Sequence, residues 1–228
     1  MEELITKENA IFEILQRFLN AKLEFIVVGG YAVSAYRHRF SVDADIVIQS
    51  RDLEKFEEIL KKEHFKKTRE KELENIYASK FMRYEKESAS IDMLIDAIAA
   101  KATNGAFSYS ILHENSLQKR IIGIEKEVEV RIPIREMIIA MKIHSGRLTD
   151  FRDITALAKG TNLKTIKKFL FIGERKTLRQ HLINLREVLN KKGFADSFKG
   201  VFMEKKFDVD LEQVEKISNL REESELEK

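Results

Sequence analysis

Two aspartates separated by one residue stand at the head of an apolar run, shortly after a pair of glycines. The stretch is FIVVGGYAVSAYRHRFSVDADIVI, Phe25 to Ile48. A short β-branched run that ends in glycine predicts a strand, and so does the alternating run DADIVI. A helix over roughly Tyr31 to Arg37 must then connect the two strands. The pattern requires an α/β fold in which Asp43 and Asp45 lie at the start of the second strand.

The two aspartates are predicted to act together. Residues i and i+2 of a strand point to the same face, which puts the Asp43 and Asp45 side chains about 7 Å apart. Ala44, Ile46 and Ile48 then point into a core. An isolated Asp-x-Asp is more often a pair of solvated residues at a strand edge. A calcium loop of the EF-hand type is excluded, because Ile46 to Ile48 stand where that loop needs oxygen ligands and a glycine.

A third carboxylate favours a metal site. Asp92 lies in the apolar run SIDMLI, which predicts another strand, and an unpartnered carboxylate in such a run is costly. If that strand lies beside the Asp43 strand, three carboxylates converge. Such a donor set suits Mg²⁺, with Mn²⁺ as the alternative ion, and leaves positions open for substrate phosphates. Asp96 shares the predicted face of Asp92 and is its rival, but the neighbours of Asp92 are more uniformly apolar.

Gly29 and Gly30 mark the predicted junction of strand and helix. Glycine permits positive φ there and lets a phosphate approach the backbone at the helix N-terminus. A lone Gly-Gly is more often a tight turn without a ligand. Neither Rossmann nor P-loop spacing is present.

The rest of the chain divides near Pro133. Before it, a helix with Thr6 at its start, a helix after Asp52, strands over Asn75–Glu85 and around Asp92, and a hairpin with a Glu-Lys tip predict a mixed sheet flanked by helices. After it, helical spacing prevails up to a last polar helix over Asp210–Lys228. We predict an α/β catalytic domain over 1–132 and an all-helical domain over 133–228.

Composition limits the class of protein. The 228 residues are 43% hydrophobic and contain no cysteine, which excludes disulfides and thiolate metal sites. We expect a cytoplasmic protein, because there is no recognisable signal peptide and no apolar stretch long enough to span a membrane. The net charge is only +3, but residues 159–192 hold ten Lys and Arg against two acids, which leaves a nucleic-acid surface and a solvated helix face as the two interpretations.

Taken together, VVGGYAVSAYRHRFSVDADIVI resembles the nucleotidyltransferase superfamily that shares its fold with DNA polymerase beta. The pattern is an apolar strand, Gly-Gly, a helix, Ser/Thr-x-Asp-x-Asp and a third Asp on a later strand. It is most similar to the AbiEii type, the toxin component of type IV toxin–antitoxin systems, where Arg-x-Ser-x-Asp-x-Asp is common. Here that motif is RFSVDAD, Arg39 to Asp45.

A second block, AMKIHSGRLTDFRDITALAKG, resembles a later motif of that family. Lys142, Arg147, Asp150 and Asp153 fall in the family positions, and Thr149 stands where many relatives have a lysine. The resemblance implies that Lys142 is catalytic and that Arg147 and Asp153 belong to the nucleotide site. From the residues alone, a salt bridge from Lys142 to Asp150 or Asp153 is nearly as good an interpretation.

The resemblance implies metal-assisted transfer of a nucleoside monophosphate from a nucleoside triphosphate to an acceptor hydroxyl. Asp43, Asp45 and Asp92 would hold the metal and do the chemistry, and Gly29, Gly30, Arg39 and Ser41 would contact the triphosphate. The expected acceptor is the 3′ end of tRNA or another nucleic acid, and an antitoxin protein is an expected partner. The alternatives are transfer to a protein or a small molecule, an Asp-x-Asp glycosyltransferase, and a non-catalytic nucleotide-binding protein.

Overall fold

The structure is a computed structural model and describes residues 2–72 and 80–221. Two sequence predictions fall partly outside the described residues: residues 75–79 of the strand predicted over Asn75–Glu85, and residues 222–228 of the helix predicted over Asp210–Lys228.

The chain divides into two compact units. The first is Met1–Ala99 with Ala106–Pro133, and the second is Ala100–Gly105 with Ile134–Lys228.

The first unit holds a five-stranded sheet. Its strands are β1 Ile26–Val28, β2 Ala44–Ile48, β3 Lys66–Glu72, β4 Lys80–Lys86 and β5 Ala89–Ile95, in the spatial order β1-β2-β5-β4-β3. All neighbours are antiparallel except β2 and β5, which are parallel. The fold class predicted from the sequence, a mixed sheet with helices and a helical C-terminal region, is confirmed.

Helices and short ribbons complete this unit. The helices are α1 Glu2–Asn20, α2 Gly29–Ser34, a 3-10 turn Ser50–Asp52, α3 Leu53–Lys62 and α4 Tyr109–Glu114; β6 Ala97–Ala100 pairs with β7 Gly105–Ser108, and β8 Ser116–Ile122 with β9 Glu127–Pro133. The core includes Phe18 of α1, Phe56 of α3 and Phe25, which precedes β1. The Phe18 ring meets the rings of Phe25 and Phe56 edge to face. Thr6 does not cap α1, because the helix begins one turn earlier and the Thr6 hydroxyl donates to the Glu2 carbonyl.

The second unit is helical: α5 Arg135–Ser145, α6 Leu148–Leu157, α7 Leu163–Leu170, α8 Arg175–Leu189, α9 Phe194–Phe202 and α10 Leu211–Ser218. The buried imidazole of His144 ties α5 to two other segments. Its Nε2 lies 2.9 Å from the Leu170 carbonyl, and its Nδ1 lies 2.8 Å from the Thr103 hydroxyl. Because a carbonyl only accepts, Nε2 carries the proton and Nδ1 accepts from Thr103. Across residues 2–72 and 80–221, no helix is long and apolar enough to cross a membrane.

Candidate active site

The parallel pairing of β2 with β5 places two of the predicted carboxylates side by side. Asp45 of β2 and Asp92 of β5 are directly paired in the register, so both side chains leave the same face of the sheet. The two strands are adjacent, which is the condition that the predicted site required. Asp92 is buried, with 6% of its surface exposed, whereas Asp45 is partly open.

Asp43 lies just before β2 and turns toward the same pair of strands. Its Oδ1 accepts from the Ser90 hydroxyl, and its Oδ2 lies 3.3 Å from Nη2 of Arg83. The Arg83 guanidinium also binds Asp92 through two bonds, from Nε to Oδ1 at 2.6 Å and from Nη2 to Oδ2 at 2.7 Å. One guanidinium therefore joins two of the three predicted carboxylates.

Arg83 is a site residue that the sequence reasoning missed. It lies on β4 directly opposite Asp92, and this position follows from the antiparallel register of β4 and β5. The hydrogen bonds to Asp92, and the charges of Asp92 and Asp43, raise the pKa of Arg83 above its usual range. The signal available in the sequence was a cation between the apolar residues Met82 and Tyr84 of an alternating run.

The glycine pair lies against the acidic strand. Gly29 has φ +64°, and a Cβ added to it would lie 1.9 Å from Oδ2 of Asp45. A Cβ on Gly30 would lie 2.1 Å from Oγ of Ser41 and 3.2 Å from Nη2 of Arg39. The predicted phosphate-binding residues and the carboxylates thus share one edge of the first unit. Only glycine leaves room for this close approach.

Tyr31 follows the glycine pair and is also buried. Its ring meets Phe12 edge to face, and within the described residues its hydroxyl has no hydrogen-bond partner. Burial, and then the charges of Glu8 and Asp43, raise the pKa of the Tyr31 phenol. The phenol therefore stays protonated beneath the acidic cluster.

Asp96, the rival of Asp92, has a different place. It follows β5 with φ +65°, and its Oδ1 accepts from the Ser50 amide at 2.8 Å while its own amide donates to the Ile48 carbonyl. Asp96 thus holds the turns at the far end of β2 and β5, whereas Asp92 faces Asp45.

The family residues of the second block form an ion-paired cluster in the second unit. Nζ of Lys142 lies 3.0 Å from Asp150 and 2.7 Å from Asp153, and both aspartates are fully buried. Arg147 binds Asp150 through its Nε at 2.8 Å. Burial favours the protonated form of Asp150, but Lys142 and Arg147 outweigh it and lower the pKa of Asp150 to about 2. The salt bridge that the sequence left open is present and joins α5 to α6.

The carboxylates have the chemistry of a divalent-cation site, but they are arranged around an arginine. In the described part of the chain, no three His, Cys, Asp or Glu side chains are grouped closely enough to hold an ion. Asp43 and Asp92 instead share the cation of Arg83. The three carboxylates are oxygen donors of the kind that Mg²⁺ prefers, and they would have to close around the ion after the guanidinium withdraws from between them.

This sheet, with an Asp-x-Asp at the head of β2 and a helical unit after it, has the fold of nucleotidyltransferases. Two structures share it at low identity. A crystal structure of ANT(2")-Ia in complex with adenylyl-2"-tobramycin matches with a TM-score of 0.52 and 14% identity over 77% of this chain and 98% of that one. A solution structure of the antibiotic-resistance factor ANT(2")-Ia matches with a TM-score of 0.54 and 15% identity, over 80% of this chain and 96% of that one.

A lincomycin-bound structure of the lincosamide antibiotic adenylyltransferase LnuA is more distant, with a TM-score of 0.45 and 19% identity over 68% of this chain and 98% of that one. No protein-family model and no curated protein matches the sequence. The likeness to the two ANT(2")-Ia structures establishes the fold, and the chemistry has to be argued from the residues.

Proposed function

We propose that this protein is a metal-dependent nucleotidyltransferase that moves a nucleoside monophosphate from a nucleoside triphosphate to an acceptor hydroxyl. The supporting observation is that Asp45 lies between the glycine turn on one side and Asp92 on the other. A phosphate bound at the glycine turn would then lie next to a group of carboxylates, which supports the proposal. In this proposal, residues 1–132 are the catalytic domain and 133–228 the helical domain.

Each residue has a part in the proposed reaction. Gly29, Gly30, Ser41 and Arg39 would receive the triphosphate, and Asp43, Asp45 and Asp92 would hold Mg²⁺. Bound Mg²⁺ would neutralise the phosphate oxygens and lower the pKa of the acceptor hydroxyl. The acceptor oxygen forms a bond to the α-phosphorus, the bond to the β-phosphate oxygen breaks, and pyrophosphate leaves. Asp92 accepts the hydroxyl proton.

Arg83 competes with the metal and with the substrate proton for Asp92, so we expect it to move aside. Each Asp92 oxygen accepts one bond from the guanidinium, which leaves one lone pair on each oxygen for other partners. The Arg83 side chain is 31% exposed, so it has room to turn toward solvent or toward a phosphate.

The second-block residues remain in the proposal with a structural role beside the chemical one. Lys142 is proposed as a catalytic cation, and Arg147 and Asp153 as nucleotide-site residues. Arg147 has the most open side chain of these, at 69% exposure, and suits a phosphate contact. Lys142 and Asp153 are held by each other, which supports a role in joining α5 to α6.

Nucleic acid, in particular the 3′ end of tRNA, is the proposed acceptor, as in an AbiEii-type toxin with an antitoxin partner. The basic segment 159–192 supports it. A small molecule is the second candidate, because ANT(2")-Ia shares the fold and is bound to an adenylylated tobramycin. A protein acceptor, a nucleotide-sugar donor and simple nucleotide binding remain outcomes of the test.

The test is to incubate the protein with Mg²⁺ and each α-labelled nucleoside triphosphate, offering tRNA, single-stranded DNA, tobramycin, or the protein alone. Label on tRNA, with release of pyrophosphate, is the expected result. Asp45→Asn should abolish it while Asp196→Asn, an exposed carboxylate of α9, should not. Label on tobramycin or on the protein would change the acceptor, and turnover of UDP-glucose alone would change the class. No label and no pyrophosphate would overturn the proposal.

A further inference from the structure

The row of charges through the candidate site continues beyond Arg83. The registers pair Asp45 with Asp92, Asp92 with Arg83, and Arg83 with Arg69 of β3, so four charged residues cross the sheet on one face. Two acids are followed by two cations. With strands about 4.8 Å apart, Arg69 lies roughly 10 Å from Asp92 along this row.

The next row on the same face is apolar and basic. Lys71 of β3 is paired with Phe81 of β4, and Phe81 with Leu94 of β5. Phe81 and Leu94 are only partly buried, while their strand neighbours Met82 and Met93 on the other face are fully buried. The Arg69 guanidinium lies 6.0 Å from the centre of the Phe81 ring. We call this surface, formed by Arg69, Lys71, Phe81 and Leu94, the β3–β4 face.

The charges of β3 and β4 are divided unequally between the two faces. On the opposite face, the acids Glu70 and Glu72 bind Lys80 at 2.8 and 3.1 Å, and Glu70 also binds Lys67 at 2.8 Å. On the β3–β4 face, neither Arg69 nor Lys71 has an ion-pair partner among residues 2–72 and 80–221. Arg69 and Lys71 thus lie beside an aromatic ring on the β3–β4 face, while Glu70 and Glu72 lie on the opposite face. The acid of β4 that shares the face of Phe81 is Glu85, which lies two residues beyond Arg83.

We propose that the β3–β4 face binds the single-stranded end of a nucleic-acid acceptor. Arg69 and Lys71 contact phosphates and Phe81 stacks on a base, which is the combination that binds single strands without sequence preference. Because Arg69, Arg83 and Asp92 follow one another across the sheet, a strand bound at Arg69 would have its terminal hydroxyl near Asp92. This inference rests on the proposed function, and it locates the single-stranded end of the acceptor on the sheet.

The experiment measures fluorescence anisotropy of a short 5′-labelled single-stranded RNA, with unlabelled tRNA as competitor, over a series of salt concentrations. Arg69→Gln/Lys71→Gln should weaken binding about tenfold at low salt. It should also reduce the slope of log affinity against log salt by about 1.4, or 0.7 for each phosphate that the variant no longer neutralises. Phe81→Leu, which keeps an apolar side chain, should weaken binding with little change of slope. Lys61→Gln/Lys62→Gln, exposed on α3, is the matched control and should bind as the wild type does.

Failure of this inference is separable from failure of the proposed function. If nucleotide transfer occurs but the Arg69/Lys71 variant binds RNA like the wild type, the inference is wrong and the function stands. If the variant binds RNA more weakly as expected but the wild type turns over no triphosphate, the β3–β4 face is supported as an RNA-binding surface and the proposed function is wrong. An equal weakening of binding in the variant and its α3 control, or no RNA binding by the wild type at low salt, would overturn the inference.

Discussion

Arg83 shows how a single side chain can decide the state of the candidate site. It supplies the positive charge for Asp92, which is buried, and for Asp43, which is partly exposed. A buried carboxylate without a partner is strongly destabilising. Arg83 therefore takes the place of a cation between these acids, and a divalent ion would have to compete with it.

Arg83→Gln should lower the unfolding free energy by about 2 kcal/mol in EDTA, because Asp92 loses its charged partner. Mg²⁺ should restore part of that free energy and should raise the melting temperature of the variant more than that of the wild type. Thermal denaturation with EDTA and with MgCl₂ measures both effects.

Arg120→Gln is the matched control for this experiment. Arg120 pairs with Glu127 on the exposed β8–β9 ribbon, where an ion pair contributes less than about 1 kcal/mol. A Mg²⁺ effect of equal size in the two variants would show that Arg83 does not compete with the ion.

At the same scale, the sequence predicted some site residues and missed others for a clear reason. Asp43, Asp45 and the two glycines lie close together in the chain. Their residue types and spacing are compatible with few functions, so the sequence alone indicates a phosphate and metal site. Arg83 acquires its partners only through the register of β4 against β5, and residue type alone does not fix register. Asp92 was predicted as a site residue because a carboxylate is rare in an apolar strand, and an arginine in an alternating strand gives no comparable signal.

The strand–glycine–helix element makes its own prediction. Gly29→Ala places a methyl group at positive φ and against the Asp45 carboxylate. We expect the unfolding free energy to fall by about 1–2 kcal/mol from the backbone alone. Triphosphate binding, measured by titration with a fluorescent nucleotide, should weaken as well because Asp45 has to move.

Gly193→Ala provides the comparison, since Gly193 also has positive φ, +88°, but a Cβ there would meet nothing within 4 Å. Gly193→Ala should lower the unfolding free energy through the strained backbone alone and should leave nucleotide binding unchanged. If both variants bind nucleotide equally weakly, the close approach of Gly29 to Asp45 has no part in the site.

Elements with periodic apolar residues were predictable, and elements defined by their partners were not. The β8–β9 hairpin and helices α5 to α8 follow the sequence pattern closely. Strand β3, KKTREKE, is exposed along its whole length and has no apolar periodicity; it is a strand because it pairs with β4. Within the predicted helical domain, no separate helix was predicted for α9, which begins directly after Gly193 at φ +88°.

For the molecule as a whole, the buried His144 gives folding a pH dependence. Burial lowers the pKa of His144 to about 4 from an ordinary value of 6.5. Between these values the unfolded chain binds the proton and the folded chain does not, so stability falls as the pH drops from 6.5 toward 4. The decrease in unfolding free energy from this residue should reach about 3 kcal/mol.

Urea denaturation at a series of pH values between 7 and 4 measures this dependence. His144→Asn should give a shallower fall of unfolding free energy with acidification, even if the variant is less stable at pH 7. His113→Asn, a partly buried histidine of α4, should keep the slope of the wild type. An unchanged slope in His144→Asn would show that other groups cause the acid sensitivity.

The pairing of Arg83 with Asp92 also bears on the order in which the chain folds. Strands β4 and β5 are joined by the two residues Glu87 and Ser88, so their hairpin is a local structure that can form within microseconds. The pairing of β2 with β5 joins residues far apart in sequence, so we expect it to form after the hairpin. In that order, Asp92 would reach the two aspartates of the β2 segment with its counter-ion in place, which would reduce the repulsion among three like charges during assembly.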